Sequence, residues 1–145
     1  TFYTSGNPYT KSEPWHSKFM ELMKVTDLVM LDLKHIDNEK HKALTGQPNT
    51  NILEMAQELS DMGKPMWIRH VLVPERTDYD EDLNNLSEFI KTLKTVERVE
   101  VLPYHTLGIH KWETLGIENI LENEGISTPT KDRVVNAKNI LGAVQ

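Results

Sequence analysis

Cysteine is absent from the 145 residues. That excludes disulfides, thiol catalysis and any cysteine-ligated iron–sulfur cluster held by these residues alone. A basic stripe is also missing: the net charge is −6 and no run of like charges exists. Nucleic acid is therefore not an expected partner, because phosphate binding draws on clustered Lys and Arg. No apolar stretch approaches the roughly 20 residues needed to cross a bilayer, so a membrane partner is not expected either. No segment pairs a basic start with an apolar middle. There is no glycine-rich phosphate loop, and no His and carboxylate pair has the spacing of a zinc site.

What is present is ordinary for a folded domain: 38% hydrophobic and 26% charged residues. The length suits a single domain over residues 1–145 with a real core. "TFYT" reads as a strand already in progress at Thr1, so the chain is expected to be a piece of a longer protein. The turn-rich "SGNPYTKS" follows. Ser12 is placed to cap a helix with Glu13 and Pro14 in its first turn, and Trp15, Phe19, Leu22 and Met23 on one face. Residues 27–33 read as a second strand. "NEKHKALTG" reads as a short polar helix stopped by Gly46. A longer helix starts at Asn49 or Thr50, with Ile52, Leu53, Ala56 and Leu59 as its stripe, and ends at Gly63. "PMWIRHVLV" is a third strand. A helix near 80–94 carries Leu83, Leu86, Phe89, Ile90 and Leu93. "VERVEVLP" is a fourth strand, followed by the loop "YHTLGIHKWETLGI". A last helix has Thr130 as its cap.

Strands alternating with helices predict parallel strands joined by right-handed crossovers, an α/β fold. Ligands in such folds bind at the carboxyl ends of the strands. Asp32 and Lys34 end the second strand and share parity with Met30, so they project to one side. On the third strand Arg69 shares parity with Trp67, and His70 points the other way. On the fourth, Val101, Pro103 and His105 share a parity. An Asp and a Lys at a strand end also make structural ion pairs. Arg69, inside an apolar strand, needs a partner to offset its desolvation. His16, His41 and His110 read as solvated surface or loop residues.

"VTDLVMLDLKHID", "WIRHVLVP" and "LPYHTLGIHKWETLGI" resemble segments of the pyruvate formate-lyase activating enzymes of the radical SAM superfamily. "YTSGNPYT" resembles the family's "DTSG" or "DTNG" segment. The likeness runs almost end to end. It implies a partial (β/α) barrel, about the second half of an open six-stranded one. It implies, for the whole enzyme, a 4Fe-4S cluster that cleaves S-adenosylmethionine reductively. The resulting 5′-deoxyadenosyl radical takes a hydrogen atom from a backbone glycine of pyruvate formate-lyase. A flavodoxin or ferredoxin electron donor and a cytoplasmic setting come with the resemblance. By the same likeness Asp32 helps hold a monovalent cation beside the cofactor, and Met30 supplies a backbone carbonyl to it. Lys34, Arg69 and His105 match residues lining the cofactor pocket.

Two departures stand out. The family's CxxxCxxC loop and its Gly-Gly-Glu segment belong to the other half, so these residues alone bind no cluster and are expected to be inactive. Tyr3 stands where the family has Asp, which removes one carboxylate from the cation site. An unpaired first strand leads to an expectation of self-association. Two other readings compete: a cluster-free module that binds a glycyl-radical enzyme, and an unrelated barrel enzyme using Asp32, Lys34 and His105 as acid–base groups.

Overall fold

A computed structural model describes residues 1–106, 114–116, 121 and 124–143. Four strands, β1 (Phe2–Thr4), β2 (Val29–Asp32), β3 (Met66–Leu72) and β4 (Val96–Pro103), form one sheet in the order β1-β2-β3-β4. All three pairings are parallel. Between them lie α1 (Trp15–Lys24), α2 (Asn38–Thr45), α3 (Thr50–Asp61) and α4 (Asp80–Thr92), and α5 (Lys131–Leu141) follows. Sequential order with parallel strands puts every crossover on the same side, as in a barrel wall.

The strands carry that asymmetry in their side chains. Val29 and Leu31 of β2, Met66, Ile68 and Leu72 of β3, and Val99 and Val101 of β4 are buried together against the helices. They meet Phe19 and Met23 of α1, Ile52, Met55, Ala56 and Leu59 of α3, Leu83, Leu86 and Ile90 of α4, and Ala137 and Leu141 of α5. The alternate residues, Trp67, Arg69, Arg98 and Glu100 among them, are half-buried on the opposite face. An apolar face toward the helices and a polar face toward the barrel axis is what the period of two allows.

One irregularity decides which β4 residues reach that polar face. Met66 pairs with Val96, but Trp67 pairs with Arg98, so Glu97 is an extra residue. This bulge resets the parity of β4. Without it, Arg98 and Glu100 would turn toward the helices.

The helix boundaries follow local chemistry, with some corrections. α2 starts at Asp37, whose carboxylate accepts the Lys40 N–H at 2.8 Å, and stops at Gly46 with φ of +76°. Thr130 caps α5 as expected, its hydroxyl accepting the Arg133 N–H at 3.3 Å. α1 differs: it begins at Trp15, and the Ser12 side chain does not cap it. Glu13 reaches forward instead, accepting the Ser17 N–H at 3.2 Å and hydroxyl at 2.6 Å. Leu22, expected on the buried stripe, is 40% exposed. It lines an apolar groove beside β1 with Phe2, Trp15, Phe19 and Met55. His41 is buried rather than solvated, donating through Nδ1 to the Gln47 carbonyl at 2.6 Å. His16 is half-buried against Glu58 at 2.7 Å, and His110 lies outside the described residues.

Candidate functional site

The polar face has two rows across the strands. The upper row is Asp32 of β2, Arg69 of β3 and Glu100 of β4, in direct register. The lower row is Tyr3, Met30, Trp67 and Arg98. Alternating charge in the upper row lets three groups share a partly desolvated surface without net repulsion.

Asp32 is held asymmetrically. Its Oδ2 accepts from Lys34 Nζ at 2.9 Å. Its Oδ1 lies 3.8 Å from Arg69 NH1, beyond a hydrogen bond, and is occluded without a partner. An occluded carboxylate oxygen with no donor is costly, and a cation relieves that cost. Arg69 is balanced between two carboxylates, with its Nε 3.7 Å from Glu100 Oε2. The other Glu100 oxygen lies 3.1 Å from Arg98 Nε, an ion pair without hydrogen-bond geometry. Arg98 in turn stacks on Trp67 at 4.7 Å, and Arg69 sits 5.7 Å from the Tyr3 ring. Cations over aromatic faces are favoured by the ring quadrupole.

Behind the sheet, buried polar groups fix the loops that carry these residues. His70 is 2% exposed, with Nδ1 2.8 Å from the Leu33 carbonyl and Nε2 3.1 Å from the Thr77 carbonyl. It therefore ties the end of β2 to the loop after β3. Asn49 donates to the His35 and Ile36 carbonyls at 3.1 and 2.6 Å, anchoring the loop after Lys34. His35 accepts the Asp37 N–H at Nδ1, 3.0 Å, so in its neutral form the proton sits on Nε2. That nitrogen lies 3.4 Å from Asp82, which binds Lys40 Nζ through both oxygens at 2.9 and 2.7 Å. Burial holds the pKa of His35 below its ordinary value, with Asp82 opposing in part. Burial does the same to His70, with its two carbonyl contacts opposing.

The structure thus brings together Asp32, Lys34 and Arg69, with Met30 two residues below Asp32 on the same strand. It does not bring His105 to them. β4 ends at Pro103, His105 is exposed, and among the described residues it makes no hydrogen bond or ion pair with the other three. Glu100 and Arg98 are the residues that sequence reasoning missed. Their signal was "ERVEV", where two charges alternate with valines, but the bulge at Glu97 hid which way they face. Among the described residues no group of three or more His, Cys, Asp or Glu is placed to hold a metal ion.

No family model matches the chain. Individual relatives do. The chain is 52% identical over 141 residues to the pyruvate formate-lyase-activating enzyme of Streptococcus mutans, covering 97% of this chain and 53% of that protein. It is 52% identical over 134 residues to the Staphylococcus epidermidis enzyme of the same name, covering 92% and 53%. It is 55% identical over 120 residues to that of Staphylococcus aureus, covering 83% and 48%. The chain thus spans about half the length of these curated relatives. A crystal structure of a domain of pyruvate-formate lyase-activating enzyme from Bacteroides vulgatus shares the fold at 22% identity. Its TM-score is 0.70, over 87% of this chain and 68% of that one. A radical SAM methyltransferase from Sphaerobacter thermophilus shares it at 12% identity and a TM-score of 0.61, over 86% of this chain and 34% of that one. Four parallel strands with their crossover helices are therefore a partial barrel of the kind radical SAM proteins use, and the chain is a relative of the pyruvate formate-lyase-activating enzymes, matching about half the length of each.

Proposed function

We propose that this chain is the cofactor-orienting half of a radical SAM activase whose protein substrate is pyruvate formate-lyase. The single observation that carries the reading is the occluded, unpartnered Oδ1 of Asp32 at a strand's carboxyl end, flanked by Lys34 and Arg69. A monovalent cation suits that oxygen, with the Met30 carbonyl as a second ligand. Lys34 and Arg69 line the pocket around the amino-acid end of S-adenosylmethionine, whose charges match a face carrying both signs; His105, matched to that pocket by the family likeness alone, stands exposed and apart from them. S-adenosylmethionine, held there, would supply the radical chemistry, with a 4Fe-4S cluster as the source of its electron. This chain has no cysteine to ligate a cluster, so that group belongs to residues elsewhere in the full protein. A flavodoxin or ferredoxin as electron donor and a cytoplasmic setting belong to the same reading. Among the described residues no helix is long and apolar enough to cross a membrane.

Within this reading the chain's residues bind and orient. Asp32 fixes the cation, Lys34 holds the second Asp32 oxygen, and the helix-covered core keeps the strand ends rigid. The test is equilibrium binding of S-adenosylmethionine to the full-length protein, by calorimetry, for the parent and Asp32→Asn. Affinity is expected to fall about tenfold or more, the scale of losing one charged ligand contact, with little change in melting temperature. Unchanged affinity with a large loss of melting temperature would instead make Asp32 half of a structural ion pair.

A further inference from the structure

We propose that Glu100 is a positioning residue: it holds the Arg69 guanidinium off Asp32, so that one Asp32 oxygen stays without a donor and is left to the cation when the cofactor binds. The inference rests on the cofactor-binding reading above and assigns a role to a residue outside the expected set.

The geometry is specific. Arg69 stands between its two neighbours in the row at nearly equal distances, 3.8 Å to Asp32 Oδ1 and 3.7 Å to Glu100 Oε2. It hydrogen-bonds to neither through Nε. A guanidinium beside one carboxylate alone closes to a bidentate pair at under about 3 Å. Here the second carboxylate draws it back. Glu100 is itself restrained: its other oxygen lies 3.1 Å from Arg98 Nε, an ion pair without hydrogen-bond geometry, and Arg98 rests on Trp67. The bulge at Glu97 is what turns Arg98 and Glu100 to this face. Tyr3 and Trp67, lying under the two arginines, keep both guanidiniums in the lower row's reach. Take away the Glu100 charge and Arg69 has one anionic neighbour within reach. It then closes on Asp32, hydrogen-bonds Oδ1, and competes with the cation for it.

The test is a double-mutant cycle on the full-length protein. S-adenosylmethionine is titrated calorimetrically at a series of potassium concentrations, and melting temperature is recorded for each variant. Glu100→Gln is expected to weaken S-adenosylmethionine binding about tenfold, within the range of coupled charged neighbours, and to raise the potassium concentration needed for half-maximal affinity. Glu100→Asp, which keeps the charge, retains most of the affinity. In an Arg69→Met background, Glu100→Gln has no further effect, because the residue it positions is gone. A Glu100→Gln effect that persists in that background overturns the proposal. So does a Glu100→Gln protein that fails to fold, which would make Glu100 structural. Asp32→Asn separates the two levels. If it weakens binding while Glu100→Gln does not, the positioning role is wrong and the cofactor reading stands. If Asp32→Asn leaves binding unchanged, both are overturned.

Discussion

Lys34 Nζ lies 2.9 Å from Asp32 Oδ2, two residues apart at the end of β2, with both side chains about a quarter to a third exposed. An ion pair so open to water contributes roughly 0.2–1 kcal/mol to stability. Its value lies in orientation, because it occupies one Asp32 oxygen and leaves the other without a donor. Lys34→Met is therefore expected to lower stability by less than about 1 kcal/mol while weakening S-adenosylmethionine binding to the full-length protein. Urea unfolding and calorimetry measure the two effects separately. A stability loss of several kcal/mol with affinity intact would place Lys34 in the scaffold.

Stability should fall on mild acidification, through His35 and His70. Both are buried, and both have pKa values below the ordinary 6.5 of the unfolded chain. Between the unfolded and the lowered folded pKa, the unfolded state binds more protons. Stability is then fully present above about pH 6.5 and is lost as pH falls toward the folded pKa values. The urea midpoint is expected to drop between about pH 7.5 and about pH 5.5. His70→Gln, which donates to one carbonyl but does not titrate, flattens that slope. Equal midpoints at the two pH values would show that the two imidazoles accept protons without strain.

Thr130→Ala should cost about 1 kcal/mol, the usual value of a lost N-cap. The hydroxyl accepts the Arg133 N–H, and Arg133 itself carries the helix onto the start of α4 through Asp80 at 2.9 Å. Fraying the first turn of α5 loosens that contact as well. Hydrogen exchange of the amides at 131–134 is expected to quicken, while those of β3 stay protected. No change at α5 would mean that Ala137 and Leu141, buried under the helix's far end, hold it without the cap.

Much of the fold was legible because its signals are local and repeated. β4 was read at its observed bounds from alternating valines, and Gly46 marked the end of α2 through its positive φ. The parity of Asp32, Lys34 and Arg69 was legible for the same reason. What escaped were features set by neighbours far in sequence. The bulge at Glu97 exists only against Met66 and Trp67 of β3, so the facing of Arg98 and Glu100 could not be read from their own strand. His41 looks like a surface residue in a polar helix, yet a carbonyl six residues on gives it a buried partner. Leu22 fits the apolar stripe of α1 but faces a groove that β1 leaves open.

That groove bears on self-association of the 145-residue chain. β1 is three residues long and, among the described residues, pairs on one side only, with β2. Among the described residues its other edge is unpaired, and edges of this kind recruit partners. Arg98 covers Trp67, and the inner face is a charge ladder, so the apolar drive lies elsewhere. It lies beside β1, where Phe2, Trp15 and Leu22 line the groove. Burying these side chains there is favourable at roughly 25 cal/mol per Å² of apolar surface. The chain is therefore expected to form a symmetric dimer across the β1 edge, which self-complementary patches favour. Leu22→Glu places a charge in the groove at an already exposed helix position and should shift the protein to monomer without unfolding it. Sedimentation velocity across a range of concentrations reads both. A chain that sediments as a monomer throughout would show that the β1 edge is not sticky, and a dimer indifferent to Leu22→Glu would move the interface off this groove.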